Sequence, residues 1–289
     1  MPEPPAPSPE PLGPTAPPAR RTGPAAGPLA RMDKGRLRHV VAIGSGKGGV
    51  GKSSVTVLLA SELRRRGLLV GVLDADVTGP SVPKLLGVAG PLYDQGEGIE
   101  PARSAGGVVV ISSQFLVEED QTPVIWRGPL VTRLIQQFFG GVNWGALDYL
   151  LIDMPPGTSD VPLTVFQTIP LDGMVFVFTP QELSALIVRK AMNMARDLHV
   201  PLLGVVENMG LLDCPHCGRP VEPFGPSGVA RIAEEYGVPL LARMPIDPRI
   251  SVLGDAGRIH EYTAPSVTAL GDAFLAAVGR GEEARLTVL

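Results

Sequence analysis

The sequence predicts a doubly wound α/β domain, a mostly parallel sheet with helices on both faces. Three observations predict it. From Leu37 onward, short β-branched runs alternate with amphipathic stretches. The runs are apolar along most of their length, which marks strands buried on both faces rather than one. A glycine-rich loop, "GSGKGGVGKSS" from Gly44 to Ser54, joins the first run to the first helical stretch. In such sheets ligands bind outside the carboxyl ends of the strands.

Taken in order, the first 31 residues hold eleven prolines and almost no large apolar side chains. They have too little apolar surface to offset the entropy of ordering, so a disordered arm is expected over 1–31, followed by one domain over 32–289. "RHVVAI", "LLVGVLD", "GVVVISS", "DYLLID", "GMVFVFT", "LLGVVEN" and "PLLARMP" read as strands. "KSSVTVLLASELRRRG", "PLVTRLIQQFFGG", "LSALIVRKAMNMARDLH", "GVARIAEEYG" and "SVTALGDAFLAAVG" read as helices. The run Arg64–Arg66 closes the first helix, where cations favour the dipole and stay solvated. Neither a repeat nor a second composition regime follows residue 37.

Composition narrows the class. Hydrophobic residues make up 44% of the 289 and charged residues 19%, the balance of a soluble globular chain. A net charge of -4 and a pI near 5.6 argue against a broad field for nucleic acid. No apolar run is long enough to span a membrane, and no basic-then-apolar leader opens the sequence. A cytoplasmic location without membrane or nucleic-acid partners is the expectation.

The glycine-rich loop satisfies G-x-x-x-x-G-K-[ST] through Gly46, Gly51, Lys52 and Ser53, with a strand before it and a helix after. Glycines allow backbone N–H groups to turn toward phosphate oxygens, and the helix N-terminus adds partial positive charge. The whole stretch Gly46, Lys47, Gly48, Gly49, Val50, Gly51, Lys52, Ser53 and Ser54 is therefore assigned to nucleotide binding. Lys52 is the cation for the β and γ phosphates, and the Ser53 hydroxyl is a ligand for Mg2+. "VLDADVTGPS" sets Asp74 and Asp76, and "YLLIDMPPGTSD" sets Asp153, at the ends of apolar strands. A single strand-ending Asp is commonly a cap or turn residue, but three beside a matched phosphate loop point to a magnesium-nucleotide site.

"GKGGVGKS" with Lys47 resembles the deviant phosphate loop of the MinD-like ATPases. "DADVTGPS", "WRGP", "DMPPGTSD" and "VVENMG" resemble the Mrp/ApbC branch of iron-sulfur cluster carriers, over about Met32 to Pro248. The resemblance implies a phosphate-loop NTPase that hydrolyses ATP as a homodimer. It implies that Lys47 reaches the nucleotide of the other subunit, that Asp76 orients the attacking water, and that Asp74 and Asp153 lie near magnesium. It also implies that Asn208 meets the adenine edge; a residue capping the turn into "MGLLD" is the other reading. Asp247 in "MPIDP" is a further, weaker candidate near the base. Trp126 in "WRGP" reads as core, and Arg127 stays outside the site.

Both cysteines fall in "CPHC", Cys214 to Cys217. Two thiolates are half of the usual four-ligand set for zinc or an iron-sulfur cluster. If the pair binds a cluster, a second copy supplies the remaining ligands across a twofold axis. Zinc with His216, thiol-disulfide exchange and inert thiols are the competing readings of the pair. The resemblance favours a bridging [4Fe-4S] cluster, received from cluster donors and passed to recipient apoproteins. The rival from another class is a MinD/ParA-like positioning or partitioning ATPase, and a small-molecule kinase is a third reading.

Overall fold

The computed structural model describes residues 32–77, 79–90, 93–94, 98–116, 128–157, 160–181 and 186–286. The expected arm at 1–31, together with Trp126 and Arg127, lies outside the described residues. Each of the seven apolar runs forms a strand. In chain order the elements are β1 (Leu37–Gly44), α1 (Lys52–Arg65), β2 (Val70–Asp74), α2 (Val82–Leu86), β3 (Tyr93–Asp94), β4 (Ile99–Glu100), β5 (Ala102–Arg103) and β6 (Val109–Ser112). There follow α3 (Gly128–Gly140), β7 (Leu147–Asp153), α4 (Asp160–Thr168), β8 (Gly173–Phe178), α5 (Leu186–Asp197), β9 (Leu202–Asp213), β10 (Pro220–Val221), α6 (Val229–Tyr236), β11 (Leu240–Pro245), α7 (Pro248–Asp255) and α8 (Pro265–Leu286).

The main sheet runs β10-β9-β8-β1-β7-β2-β6-β5, with β11 also paired to β9. Only the two-residue strands β5 and β10 run antiparallel to their neighbours in it. β1 sits between β7 and β8. The chain leaves β1 for β2, then returns to lay β7 between them and β8 on the far side of β1. That reversal opens a crevice at the carboxyl end of β1, where the glycine-rich loop begins.

Alternate residues of each strand serve opposite faces, so the sheet separates two cores. Val40 and Ala42 of β1 join Leu150, Ile152 and Phe176 beneath α3, α4, α5 and α6. Val41 and Ile43 join Leu151, Val175 and Val177 beneath α1, α2 and α8. This is why the central strands read as unbroken apolar runs. At the amino end, Trp144 donates through Nε1 to the carbonyls of Phe138 and Phe139, both at 3.2 Å. Lys34 pairs with Asp172, whose carboxylate also accepts from the Val40 N–H.

Two differences from the sequence expectation matter. β9 continues to Asp213, beyond the Asn208 end read from "LLGVVEN", because its outer part pairs with β10 and β11. Helices α2, α4 and α7, of five, nine and eight residues, were not anticipated. Short proline-bearing stretches such as "VPKLL" and "DVPLTVFQT" carry too few turns for a periodic signal. No described helix is long and apolar enough to cross a membrane.

Phe274 of α8 is fully buried and packs at a tilt on Tyr149, with ring centroids 5.6 Å apart. Phe274→Ala is expected to lower unfolding free energy by about 3–5 kcal/mol, from lost transfer energy and the cavity left behind. Urea unfolding measures this, and a loss below about 1 kcal/mol would show that the face repacks freely.

Candidate nucleotide site and cysteine hairpin

The loop between β1 and α1 takes its form from glycine. Gly49 and Gly51 have φ of 82° and 77°, a left-handed backbone that side chains rarely adopt. At Gly51 a Cβ would also fall 2.2 Å from Asn208 Nδ2. The Ser45 hydroxyl donates to the Lys47 carbonyl at 3.0 Å, and Gly157 N–H donates to the Ser45 carbonyl at 3.0 Å. Lys47, Gly48 and Gly49 form the exposed crest, whereas Val50 and Lys52 are buried.

Beneath the loop, three side chains close on one carboxylate. Lys52 Nζ lies 2.6 Å from Asp153 Oδ2, Ser53 Oγ donates to the same oxygen at 2.6 Å, and Thr56 Oγ1 donates to Oδ1 at 2.7 Å. Asp153 is fully buried, and it reaches this place because β7 ends beside β1 and the start of α1. Asp74 ends β2 in register with Asp153 and is equally buried. Its oxygens accept from Ser112 Oγ at 3.2 Å and from the N–H groups of Asp76 and Val82 at 3.2 and 3.3 Å. Burial first, then the Asp153 charge, pushes the Asp74 carboxyl up to about 8, against the opposing pull of Lys52.

The arrangement therefore unites Lys52, Ser53, Asp74 and Asp153, with Asp76 half-buried at the edge. Its donor set, two carboxylates and a hydroxyl, is all oxygen and suits a hard divalent cation such as Mg2+. Asn208 joins from β9, its Nδ2 donating to the Val50 carbonyl at 2.8 Å. Asp247 instead caps α7 by accepting from Arg249 N–H at 2.9 Å, and its carboxylate also receives the Arg249 guanidinium and the Tyr262 hydroxyl. Sequence reasoning passed over Thr56 and Ser112. Thr56 had a legible signal, a polar residue one turn after Lys52 on the buried face of an apolar helix.

The cysteines occupy the turn of the β9–β10 hairpin, where Asp213 pairs with Pro220 and Leu212 with Val221. Cys214 N–H donates to the Arg219 carbonyl at 2.9 Å and Gly218 N–H to the Cys214 carbonyl at 2.8 Å. Cys214 is half-buried and Cys217 exposed, and both are free thiols. Backbone N–H groups of His216 and Cys217, then the Cys217 side chain, hold the Cys214 thiol below its ordinary value. Among the described residues no group of three or more His, Cys, Asp or Glu side chains is placed to hold a metal ion. His216 is exposed.

Comparison with known proteins gives a consistent result. The family model described as ParA, NUBPL iron-transfer P-loop NTPase, matches residues 36–277. An iron-sulfur cluster carrier protein of Methanocaldococcus jannaschii is 47% identical over 234 residues, covering 78% of this chain and 79% of its own. One from Clostridium perfringens is 43% identical over 238 residues, covering 80% and 84%. Among solved structures, a nucleotide-binding protein from Archaeoglobus fulgidus in complex with ADP superposes with a TM-score of 0.72 at 43% identity, covering 81% of this chain and 91% of that one. MinD of Pyrococcus horikoshii, complexed with Mg-ADP, gives 0.54 at 22% identity over 84% and 95%, a likeness of fold alone.

The Asp74 carboxyl, ordinarily near 3.8 and here about 8, favours the protonated form in the folded state. Its contribution to stability is complete below the lower value and is lost as pH rises through the upper one. In nucleotide-free protein, Asp74→Asn is therefore expected to gain melting temperature over wild type progressively across that window. Thermal melts at several pH values check this, and a difference that does not change with pH would contradict it.

Proposed function

The chain belongs to the ParA-type family of NUBPL iron-transfer P-loop NTPases, and from that membership we propose that it is an ATP-hydrolysing carrier of iron-sulfur clusters. It takes up a cluster on Cys214 and Cys217 and passes it to recipient apoproteins. One observation carries the reading: the strand whose Asn208 holds the Val50 carbonyl of the phosphate loop runs directly into the cysteine hairpin. Nucleotide and cargo thus meet on one continuous segment. The fold shared with MinD-like proteins supports the positioning ATPase alternative only at the level of architecture.

On this reading residues 32–289 act as one ATPase domain. Gly46 to Ser54 cradle the phosphates with backbone N–H groups, and Lys52 transfers its charge from Asp153 to the β and γ phosphates. Ser53, Asp74 and Asp153 hold Mg2+, which when bound neutralises charge on the phosphate oxygens. Asp76, half-buried beside Asp74, orients the attacking water, and the Asn208 amide has both donor and acceptor for the adenine edge.

Stoichiometry sets how the cargo is held. The sequence contains two cysteines, and a [4Fe-4S] cluster takes four thiolates. A homodimer with facing hairpins supplies them through an isologous interface. Backbone donors already favour the Cys214 thiolate, the form that binds metal. Lys47, exposed on the loop crest, is available to the nucleotide of the second copy, where a cation compensates transition-state charge as an arginine finger does.

Anaerobic reconstitution with iron and sulfide, followed by visible absorption, metal analysis and mass in solution, tests the carrier reading. The expected product is a coloured dimer with about four irons per two chains, lost in Cys214→Ala. A strictly monomeric loaded protein, a colourless zinc adduct or undiminished iron in Cys214→Ala would overturn it. Lys47→Ala is expected to slow ATP hydrolysis by about a thousandfold while leaving iron content unchanged. Steady-state phosphate release measures the first effect and metal analysis the second.

A further inference from the structure

We propose that Arg243 is a positioning residue that sets the cysteine hairpin relative to the nucleotide loop, by bridging Glu207 on β9 to Glu222 at the hairpin's return leg. The inference rests on the carrier reading only in treating the hairpin as the cargo port. Glu207 directly precedes Asn208, the residue hydrogen-bonded to Val50 of the phosphate loop at 2.8 Å. Although a carboxylate, Glu207 is only 1% exposed, so its charge requires a partner. That partner is Arg243 of β11, with Nε 2.8 Å from Glu207 Oε2 and Nη2 3.3 Å from Oε1.

The same Nη2 lies 3.3 Å from Glu222 Oε1. Glu222 directly follows β10, the strand that closes the cysteine hairpin. One planar guanidinium thus touches the base of the nucleotide loop's supporting strand and the far leg of the thiol loop. A lysine, a point charge on a flexible stem, cannot hold two carboxylates in that fixed fork.

The backbone between the two sites is built to keep this geometry. Met209, just beyond Asn208 in β9, has φ of 60°, the left-handed region that a non-glycine residue seldom occupies. Gly210 follows, and a Cβ there would stand 2.1 Å from Glu207 Oε1, so the carboxylate lies close against this backbone. The β9–β11 pairing shifts register between Arg243 and Pro245, and Ile246 N–H then bonds the Leu211 carbonyl at 2.7 Å. The hairpin's own ladder has two rungs. Its placement therefore draws on contacts from outside, and among the described residues Arg243 supplies a charged one.

The test uses full-length, metal-free protein and follows the rate of Cys214 and Cys217 alkylation by iodoacetamide, with and without Mg2+ and a non-hydrolysable ATP analogue. Glu222→Ala removes the outer link while leaving the Glu207 pair, and Arg243→Lys keeps a cation beside Glu207 while losing the fork. In wild type the nucleotide is expected to change the alkylation rate by about threefold or more. In both variants the two rates are expected to agree within about 1.5-fold, with nucleotide affinity within about twofold of wild type. A wild-type rate indifferent to nucleotide, variants that keep the full wild-type ratio, or variants that lose nucleotide affinity would each overturn the proposal. No cluster is involved in this assay, so its failure is distinguishable from failure of the carrier reading, which the iron count of the reconstituted dimer decides independently.

Discussion

The ion pair between Lys52 and Asp153 is the constraint on which the rest of this molecule depends. The two atoms are 2.6 Å apart with side chains 7% and 0% exposed, so neither charge has water to turn to. Removing one partner of such a pair costs about 3–5 kcal/mol, because the other is left buried and uncompensated. The sheet order, with β7 inserted between β1 and β2, brings these groups together. It also explains the neighbouring Asp74. One ammonium does not neutralise two buried carboxylates, so burial and the Asp153 charge hold the Asp74 carboxyl well above its ordinary value.

The phosphate loop is fastened from beneath by the Asp153 carboxylate. Ser53 and Thr56 hydroxyls and the Lys52 ammonium all satisfy themselves on Asp153. On the proposed reading, a metal-bound polyphosphate would offer the lysine a stronger partner and leave a carboxylate free to hold the metal. Such an exchange would make different contacts in its two states, which is what a ligand needs in order to shift a conformational equilibrium. β9 is the element best placed to feel it, because Asn208 reads the loop backbone through Val50 while Glu207 is anchored to β11.

The fold was legible because buried parallel strands leave a compositional mark that needs no partner to be seen. Val40 to Ile43, Leu150 to Ile152 and Val175 to Val177 are apolar on both faces, and only a covered sheet requires that. The phosphate loop was legible because phosphate chemistry dictates its residue types at fixed spacing. What escaped was pairing across long separations. Thr56 meets Asp153 from 97 residues away, and Arg243 meets Glu207 from 36. β9 beyond Asn208 escaped because Met-Gly reads as a turn, whereas the strand passes through a left-handed Met209 and continues. The cysteine pair was conspicuous, yet nothing in its spacing revealed that it crowns the same strand whose Asn208 bonds the phosphate loop.

The brevity of β10 has a consequence for access to the two thiols. Pro220 and Val221 are both exposed, the proline offers no amide proton, and their ladder to Leu212 and Asp213 is among the shortest in the domain. Protein segments breathe at a free energy set by the contacts they must break, and few are broken here. Cys217 is already exposed, so fraying of this tip would uncover the half-buried Cys214 without opening the doubly covered sheet behind it. On the carrier reading proposed above, an acceptor's thiols would then replace one carrier sulfur at a time, with no need for the domain to unfold.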